Sequence, residues 1–287
     1  MTRISTYGQM NSTLASVMRL QAAVAEAQTQ TATEKVSDTY QGIGADTSLL
    51  LNLENRIARS VEYVDQAEIV SSRVESMYSA IGSMIDVLTD YETLLASAVN
   101  GEAAADIALN SQAESLMASF VDLANTQFDD RYLFAGDMTN TAPVNVEDPP
   151  YTAQTYPSTA NTDYYQGNSS VATFKASDNL TISYGVTADE EAFENAIRAL
   201  SLGVNAAEDP MDEDAILEAY DLASEALEAL AVLQTKLSCS SSTIEEQIDI
   251  QTDVQLQLEA MVSNIEDVDV AEALSRMETL QTQLEAS

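Results

Sequence analysis

A heptad pattern that starts at Leu50 constrains the fold of this chain more than any other feature of its sequence. Apolar or small residues recur at alternating steps of three and four for about six heptads, as in helices that pack along a partner helix. Such a stripe is stable only when another element covers it. The predicted seam consists of Leu50, Leu53, Ile57, Ser60, Val64, Ala67, Ser71, Val74, Tyr78, Ile81, Ile85, Leu88, Glu92 and Leu95.

Weaker helical patterns lie on both sides of this segment. Residues 10–31 have helical spacing, but Gln21 and Gln28 make the seam polar, so this helix needs partners to be stable. The glycine-containing stretch 35–46 predicts a break before the long helix. After a stop at Asn100-Gly101, residues 103–127 resume helical spacing, which predicts an antiparallel return.

The middle of the chain changes character, because four of the five prolines lie between residues 143 and 157. Residues 171–175 and 180–186 alternate like short strands, with Asp178-Asn179 between them as the turn. Helical spacing then returns from Asp189 to the end, with a pause at residues 203–210.

The predicted fold is mainly α, with a long antiparallel coiled-coil bundle formed by both chain ends and a small inserted β-rich domain. The predicted division is residues 1–45, 46–136, 137–188, 189–244 and 245–287, of which the third is the insert.

Charge excludes two classes of partner. The chain has 47 acidic and 11 basic residues, a net charge of −36, which repels phosphate backbones and anionic lipid surfaces. We therefore expect neither nucleic acid nor membrane binding. The first residues lack the apolar core of a secretory signal, and no apolar run is long enough for a membrane span.

The residue types that carry most catalysis are scarce. There is no histidine, so triads built on histidine are excluded, and the single cysteine, Cys239, cannot form an intrachain disulfide. Gly42-Ile43-Gly44 lacks the third glycine and the lysine of a phosphate loop, so a hinge is the better interpretation. We predict no enzyme, no catalytic residues, no cofactor and no metal.

Amphipathic helices at both ends of the chain predict that the ends pair with each other and then pack against neighbouring subunits. This would make a helical homo-oligomer. The predicted subunit-interface residues are Ile4, Met10, Leu14, Val17, Val24, Ile265, Val270, Leu274, Met277, Leu280 and Leu284.

Several segments resemble one known family. They are the opening Arg3-Ile4-Ser5-Thr6, the Gln-rich residues 27–30, the break at 42–46, the run Arg131-Tyr132-Leu133-Phe134-Ala135-Gly136, and the closing residues 263–273 and 280–287. Together they make the chain similar to the flagellin-like axial proteins of bacterial flagella, especially the hook-associated proteins of type 3 at the hook–filament junction. Thr33-Glu34-Lys35 departs from the family pattern, which has a glycine after this threonine.

The resemblance implies a structural subunit that supports motility and joins the hook-associated ring to the filament. It implies that residues 1–45 and 245–287 form an inner layer, that longer helix pairs surround it, and that the insert faces solvent. It also implies export through the flagellar type III channel without a cleaved signal peptide, to an extracellular position on the flagellum. The expected partners are flagellin, the neighbouring hook-associated protein and a flagellar export chaperone.

Two other functions stay open from the sequence. The same architecture serves a filament-forming flagellin, which differs from a junction subunit in how many copies assemble. A different class is a carbohydrate- or cation-binding surface protein that uses the insert, in which Tyr151, Tyr156, Tyr164 and Tyr165 could stack on sugars.

Overall fold

The computed structural model describes residues 2–99, 103–147, 150–206 and 212–286, with side chains omitted for residues 2–6 and 103–108. Within these residues the chain is mainly α, as predicted, and no helix is apolar over a length that could cross a membrane. The helices are α1 (Thr2–Thr33), α2 (Tyr40–Ile43), α3 (Thr47–Val99), α4 (Ala103–Ala124), α5 (Glu191–Ala206), α6 (Glu213–Glu266) and α7 (Val270–Glu285), with a 3-10 turn at Gly44–Asp46. The strands are β1 (Gln127–Phe128), β2 (Arg131–Tyr132), β3 (Ala172–Lys175) and β4 (Thr181–Tyr184).

The chain forms two compact units. The terminal unit consists of residues 1–62 and 252–287, and the central unit consists of residues 63–251. Helices α3 and α6 contribute to both units. The five-part division at residues 45, 136, 188 and 244 stays a prediction.

The long seam of α3 is real, but its spacing changes at Ala67. Leu50, Leu53 and Ser60 are buried as predicted, whereas in the central unit the buried residues after Ala67 continue from Val70. This moves the second row of the seam one residue back, so Tyr78 is exposed. A step of three followed by another step of three is a known interruption of heptads. The buried row is Val70, Met77, Met84, Tyr91 and Ala98, in place of the predicted Ser71, Tyr78, Ile85 and Glu92.

Opposite this seam in the central unit, α6 supplies buried residues to the same core, including Leu230, Leu237 and Ile244. Helix α5 packs against α4 and is buried over most of its length. Its Phe193 lies 6.2 Å from the ring of Phe120 and 5.5 Å from the ring of Phe134. Three of the five phenylalanines are thus in ring contact where α4 and α5 pack together.

The pause predicted at residues 203–210 starts too early, because Gly203 lies inside α5, which ends at Ala206, and is buried. The glycine is needed for a close approach: a Cβ atom here would lie 2.0 Å from the hydroxyl oxygen of Tyr91. The Tyr91 hydroxyl is buried and donates to the carbonyl oxygen of Ala199 at 2.6 Å. Burial raises the pKa of this hydroxyl, so it stays a neutral donor.

Two hairpins lie between α4 and α5. Asp129 and Asp130 both have positive φ, as a two-residue primed turn requires, and they join β1 to β2. Strands β3 and β4 pair antiparallel, with Ala172 opposite Tyr184, so the hairpin predicted around Asp178-Asn179 is confirmed. The rest of the described insert has little regular structure.

The insert is fixed to the rest of the central unit by buried aromatic side chains and by hydrogen bonds. Tyr164 is buried and donates to the carbonyl oxygen of Ala188 at 2.9 Å, and its ring lies 5.9 Å from that of Tyr151. Burial raises the pKa of Tyr151 to about 12. The carboxylate of Glu218 in α6 accepts from the Ser158 hydroxyl at 2.6 Å. Tyr151 and Tyr164 therefore serve packing and are not available for stacking on a sugar.

Replacing Gly203 by alanine should destabilise the chain by about 1–3 kcal/mol, because the new methyl group overlaps the buried Tyr91 hydroxyl. Urea unfolding followed by circular dichroism measures this loss. Combining Gly203→Ala with Tyr91→Phe, which removes the overlapping oxygen, should cost less than the two single changes added together. An alanine variant with the stability of the parent protein would contradict this account of Gly203.

Candidate subunit interface

The two ends of the chain pair in the terminal unit, where α1 packs against α7. Because the link after α1 meets the link before α7, the two helices run antiparallel. Ala27 of α1 and Ala273 of α7 are almost fully buried, so small residues let the backbones approach closely near this end of the pair. Farther along, larger side chains are also removed from solvent: Val24 is buried, and Val17 and Leu20 on α1 and Met277, Leu280 and Leu284 on α7 are partly buried.

The links that follow α1 and precede α7 are hydrogen-bonded to each other. The amide of Val36 donates to the carbonyl oxygen of Glu266 at 2.6 Å, and the amide of Val268 donates to that of Glu34 at 2.9 Å. Between them, Lys35 and Asp267 form an antiparallel bridge. The breaks in the helices of the two halves of the chain therefore lie side by side. The hydrogen bonds between them satisfy backbone groups that have no partner within the helices.

Side chains reinforce this pairing. Lys35 Nζ lies 2.9 Å from a carboxylate oxygen of Glu266, and this hydrogen bond raises the pKa of Lys35. As Lys35 is half exposed, such a pair contributes about 0–1 kcal/mol. Asp269 caps α7, because its carboxylate accepts from the amides of Ala271 at 2.9 Å and Glu272 at 3.2 Å.

An open groove of about 500 Å³ borders these links in the terminal unit. Its polar groups are largely paired within the chain: Lys35 with Glu266, and the Tyr40 hydroxyl with Glu54 at 3.0 Å. The bond to Glu54 raises the pKa of Tyr40. These bonds hold the walls of the groove together, and the pair of Lys35 and Glu266 also joins the two links. Its lining is Thr33, Lys35, Ser37, Asp38, Thr39, Tyr40, Ile43, Glu54 and Glu266.

Four large apolar residues in the first part of α1 are exposed within the described chain. Residues 7, 10, 14 and 18 fall on one side of the helix, since their steps of three and four keep them within about one quarter-turn. We call this the outer stripe: Tyr7, Met10, Leu14 and Met18, which are 71%, 73%, 58% and 60% exposed. Residues 7–16 of α1 are all exposed, so the outer stripe lies mainly on the part of α1 that precedes the residues buried in its pair with α7.

The structure divides the predicted interface residues into two sets. Val17, Val24, Met277, Leu280 and Leu284 are buried or partly buried on α1 and α7, which pack against each other. The others are exposed residues at the helix surface, except Ile265, which is half-buried in the last turn of α6, and Ile4, whose side chain lies outside the described residues. The exposed set is Met10, Leu14, Val270 and Leu274.

Sequence reasoning missed Tyr7 and Met18, which complete the outer stripe. The signal was present, because Tyr7 precedes Met10 by three residues and Met18 follows Leu14 by four. The prediction instead joined Met10 and Leu14 to Val17 in one row and placed Gln21 in the same seam. In the structure Gln21 is exposed and continues the side of α1 that carries the outer stripe with a polar residue.

Comparison with known families accounts for this arrangement. Residues 4–139 match the model of the bacterial flagellin N-terminal helical region, and residues 220–287 match that of the bacterial flagellin C-terminal helical region. The chain belongs to the flagellin family. As a flagellin-family protein it is a structural subunit of the bacterial flagellum, where it assembles with other flagellar proteins. The search of curated protein sequences finds no match.

Two solved structures share the fold of this flagellin-family chain. One, described as a flagellar hook-associated protein from Vibrio parahaemolyticus, is 16% identical with a TM-score of 0.67, over 80% of this chain and 99% of that one. The other, FlgL from Bacillus cereus, is also 16% identical, with a TM-score of 0.57 over 75% of this chain and 98% of that one. At this identity the likeness concerns the fold.

Glu34, which replaces the glycine of the family pattern, has a φ of 59°. Glycine adopts this left-handed conformation without the cost that a side chain imposes. Glu34→Gly should therefore stabilise the paired links by about 0.5–1 kcal/mol. Hydrogen exchange of the Val36 and Val268 amides measures this, and slower exchange is expected.

The matched control for this prediction is Gln28→Gly, at an exposed position inside α1. There glycine should cost about 1 kcal/mol, so the amides of α1 should exchange faster. Faster exchange at Val36 in Glu34→Gly would contradict the assignment of strain to Glu34.

Proposed function

We propose that this flagellin-family subunit joins the hook-associated ring to the filament, through contacts that its paired terminal helices make with neighbouring subunits. The observation that carries the proposal is the outer stripe of α1. Four large apolar side chains lie exposed on α1, mainly before the part of the helix that is buried in its pair with α7. An apolar stripe of this length on a surface helix marks a site of protein contact.

Burial of the outer stripe would favour such a contact. Burying a Leu or Met side chain contributes roughly 1.5–3 kcal/mol, so the outer stripe contributes several kcal/mol for each subunit contact. Val270 and Leu274, which are 38% and 42% exposed on α7, extend the apolar surface of the terminal unit. The proposed interface therefore uses the exposed members of the predicted set together with Tyr7 and Met18.

Two observations favour a junction over a filament. The opening residues and the run from Arg131 to Gly136 resemble junction proteins, and in the structure Leu133, Phe134 and Ala135 of that run are buried. One of the solved structures with this fold is described as a flagellar hook-associated protein. A filament-forming flagellin is the second candidate, since both family models describe flagellin regions.

The remaining parts of the proposal concern role, location and partners. The subunit acts structurally and not as an enzyme, is exported through the flagellar type III channel by way of an export chaperone, and resides outside the cell on the flagellum. Its neighbours there are flagellin and another hook-associated protein. Its flagellin-family membership supports these assignments.

Replacing Leu14 by aspartate should abolish association with neighbouring subunits, because the contact would then bury an unpaired charge. The fold of the monomer should not change, since Leu14 is exposed. Sedimentation velocity of the full chain and circular dichroism measure the two effects. Ser12→Asp is the matched control, because Ser12 is exposed on the opposite side of α1. Equal association of both variants would count against the outer stripe.

The number of copies in each flagellum separates the two candidate roles. A junction subunit should be present in about one ring, whereas a filament subunit outnumbers every other flagellar protein. Quantitative mass spectrometry of purified flagella gives this ratio. A copy number equal to that of the main filament protein would rule out the junction.

A further inference from the structure

Two of the four residues in the outer stripe are methionines. Met10 and Met18 are 73% and 60% exposed, more than any other methionine whose side chain the structure describes. Met261 and Met138 follow at 47% and 44%. The surface that we propose for contact between subunits therefore carries the most accessible thioethers in the described part of the chain.

The methionines of the core are shielded from solvent. Met77 and Met84 lie in the buried row of α3 and are 3% and 0% exposed. Met117 on α4 and Met277 on α7 are half-buried. Because oxidation of methionine by a dissolved oxidant follows exposure, such an oxidant modifies the outer stripe before it reaches the core. A limited dose therefore changes the surface of the free subunit and spares its fold.

Hydrogen peroxide oxidises an accessible thioether directly. A lone pair of the methionine sulfur attacks one peroxide oxygen, an S–O bond forms, and the O–O bond breaks. The sulfur loses two electrons to the peroxide, and the departing hydroxide takes up the proton of the oxygen now bound to sulfur and leaves as water. The product, methionine sulfoxide, is polar, and methionine sulfoxide reductases convert it back to methionine.

We infer that the outer stripe is a redox switch: oxidation of Met10 and Met18 by peroxide prevents association of the free subunit, and reduction of the sulfoxides restores it. This inference rests on the proposed function, which buries these side chains between subunits. Burying a polar group without a hydrogen-bond partner lowers an association constant by about tenfold or more. Once subunits have assembled, the same burial shields the thioethers, so the switch acts before assembly and not after it.

Peroxide treatment of the full chain tests this inference. All proteins in the test carry Cys239→Ser, because the exposed thiol also reacts with peroxide. Peptide mass spectrometry should locate the first sulfoxides at residues 10 and 18, and circular dichroism should not change. Sedimentation velocity should show association weakened by about a hundredfold, since each sulfoxide contributes roughly tenfold.

Reduction of the oxidised chain completes this test. Methionine sulfoxide reductases with a thiol should restore the association of the untreated protein. Oxidation of the assembled subunits should be slower at residues 10 and 18 than oxidation of the monomer. A chain that carries both sulfoxides and associates as the untreated protein does would overturn the inference.

Variants separate the outer stripe from the other exposed methionines. Met10→Leu with Met18→Leu keeps volume and apolar surface, so this chain should associate as the parent does and resist peroxide. The matched control, Met138→Leu with Met261→Leu, should stay sensitive to peroxide. Equal loss of association by both variants after peroxide would contradict the switch, because the sensitive group would then lie elsewhere.

A glutamine variant tests the polarity of the stripe without any oxidant. Met10→Gln with Met18→Gln places two uncharged polar side chains of similar length in the outer stripe, so its association should match that of the oxidised parent. Association of this variant at the level of the untreated parent would overturn the inference.

Failure of the inference is distinguishable from failure of the proposed function. If association depends on Leu14 but not on oxidation of the two methionines, the interface stands and the switch does not. If untreated protein does not associate, alone or with flagellin filaments of the same bacterium, both are wrong.

Discussion

The structure depends on the burial of helix seams against helices from the other half of the chain. Helix α1 pairs with α7, and in the central unit the seam of α3 shares its core with α6. A polar-seamed helix such as α1 is marginal in water by itself, so its order depends on α7. The fold thus requires both ends of the polypeptide before either is stable.

The terminal unit keeps its internal pairing apart from the surface proposed for association. The outer stripe lies mainly on the part of α1 that precedes the residues buried with α7, so its burial between copies would not require the two helices to separate. Helix α1 has only three charged residues, Arg3, Arg19 and Glu26, so few charges oppose the burial of this part of the helix.

Much of the fold could be predicted from the sequence, because repeated patterns average out local exceptions. The α3 helix and the Asp178-Asn179 hairpin followed from spacing and turn chemistry. Predictions failed where the position of a neighbouring helix determines the outcome. Ser71, a polar residue in the predicted seam, was already a sign of the change of spacing at Ala67. Gly203 does not end a helix, because it makes room for the Tyr91 hydroxyl. The interface was harder to predict, because the sequence alone does not tell which apolar residues of α1 pack against α7 and which remain exposed.

The paired links have a consequence for how the family can vary in length. The exposed turns between α4 and α5 can accept insertions, because the residues of this segment that pack in the core, such as Tyr151 and Tyr164, lie outside those turns. The links around Lys35 and Asp267 cannot, since one added residue would shift the exchange of backbone hydrogen bonds out of step and reverse the facing of each side chain. Family members should therefore differ in length mainly in the middle of the chain, while the paired links keep a constant length.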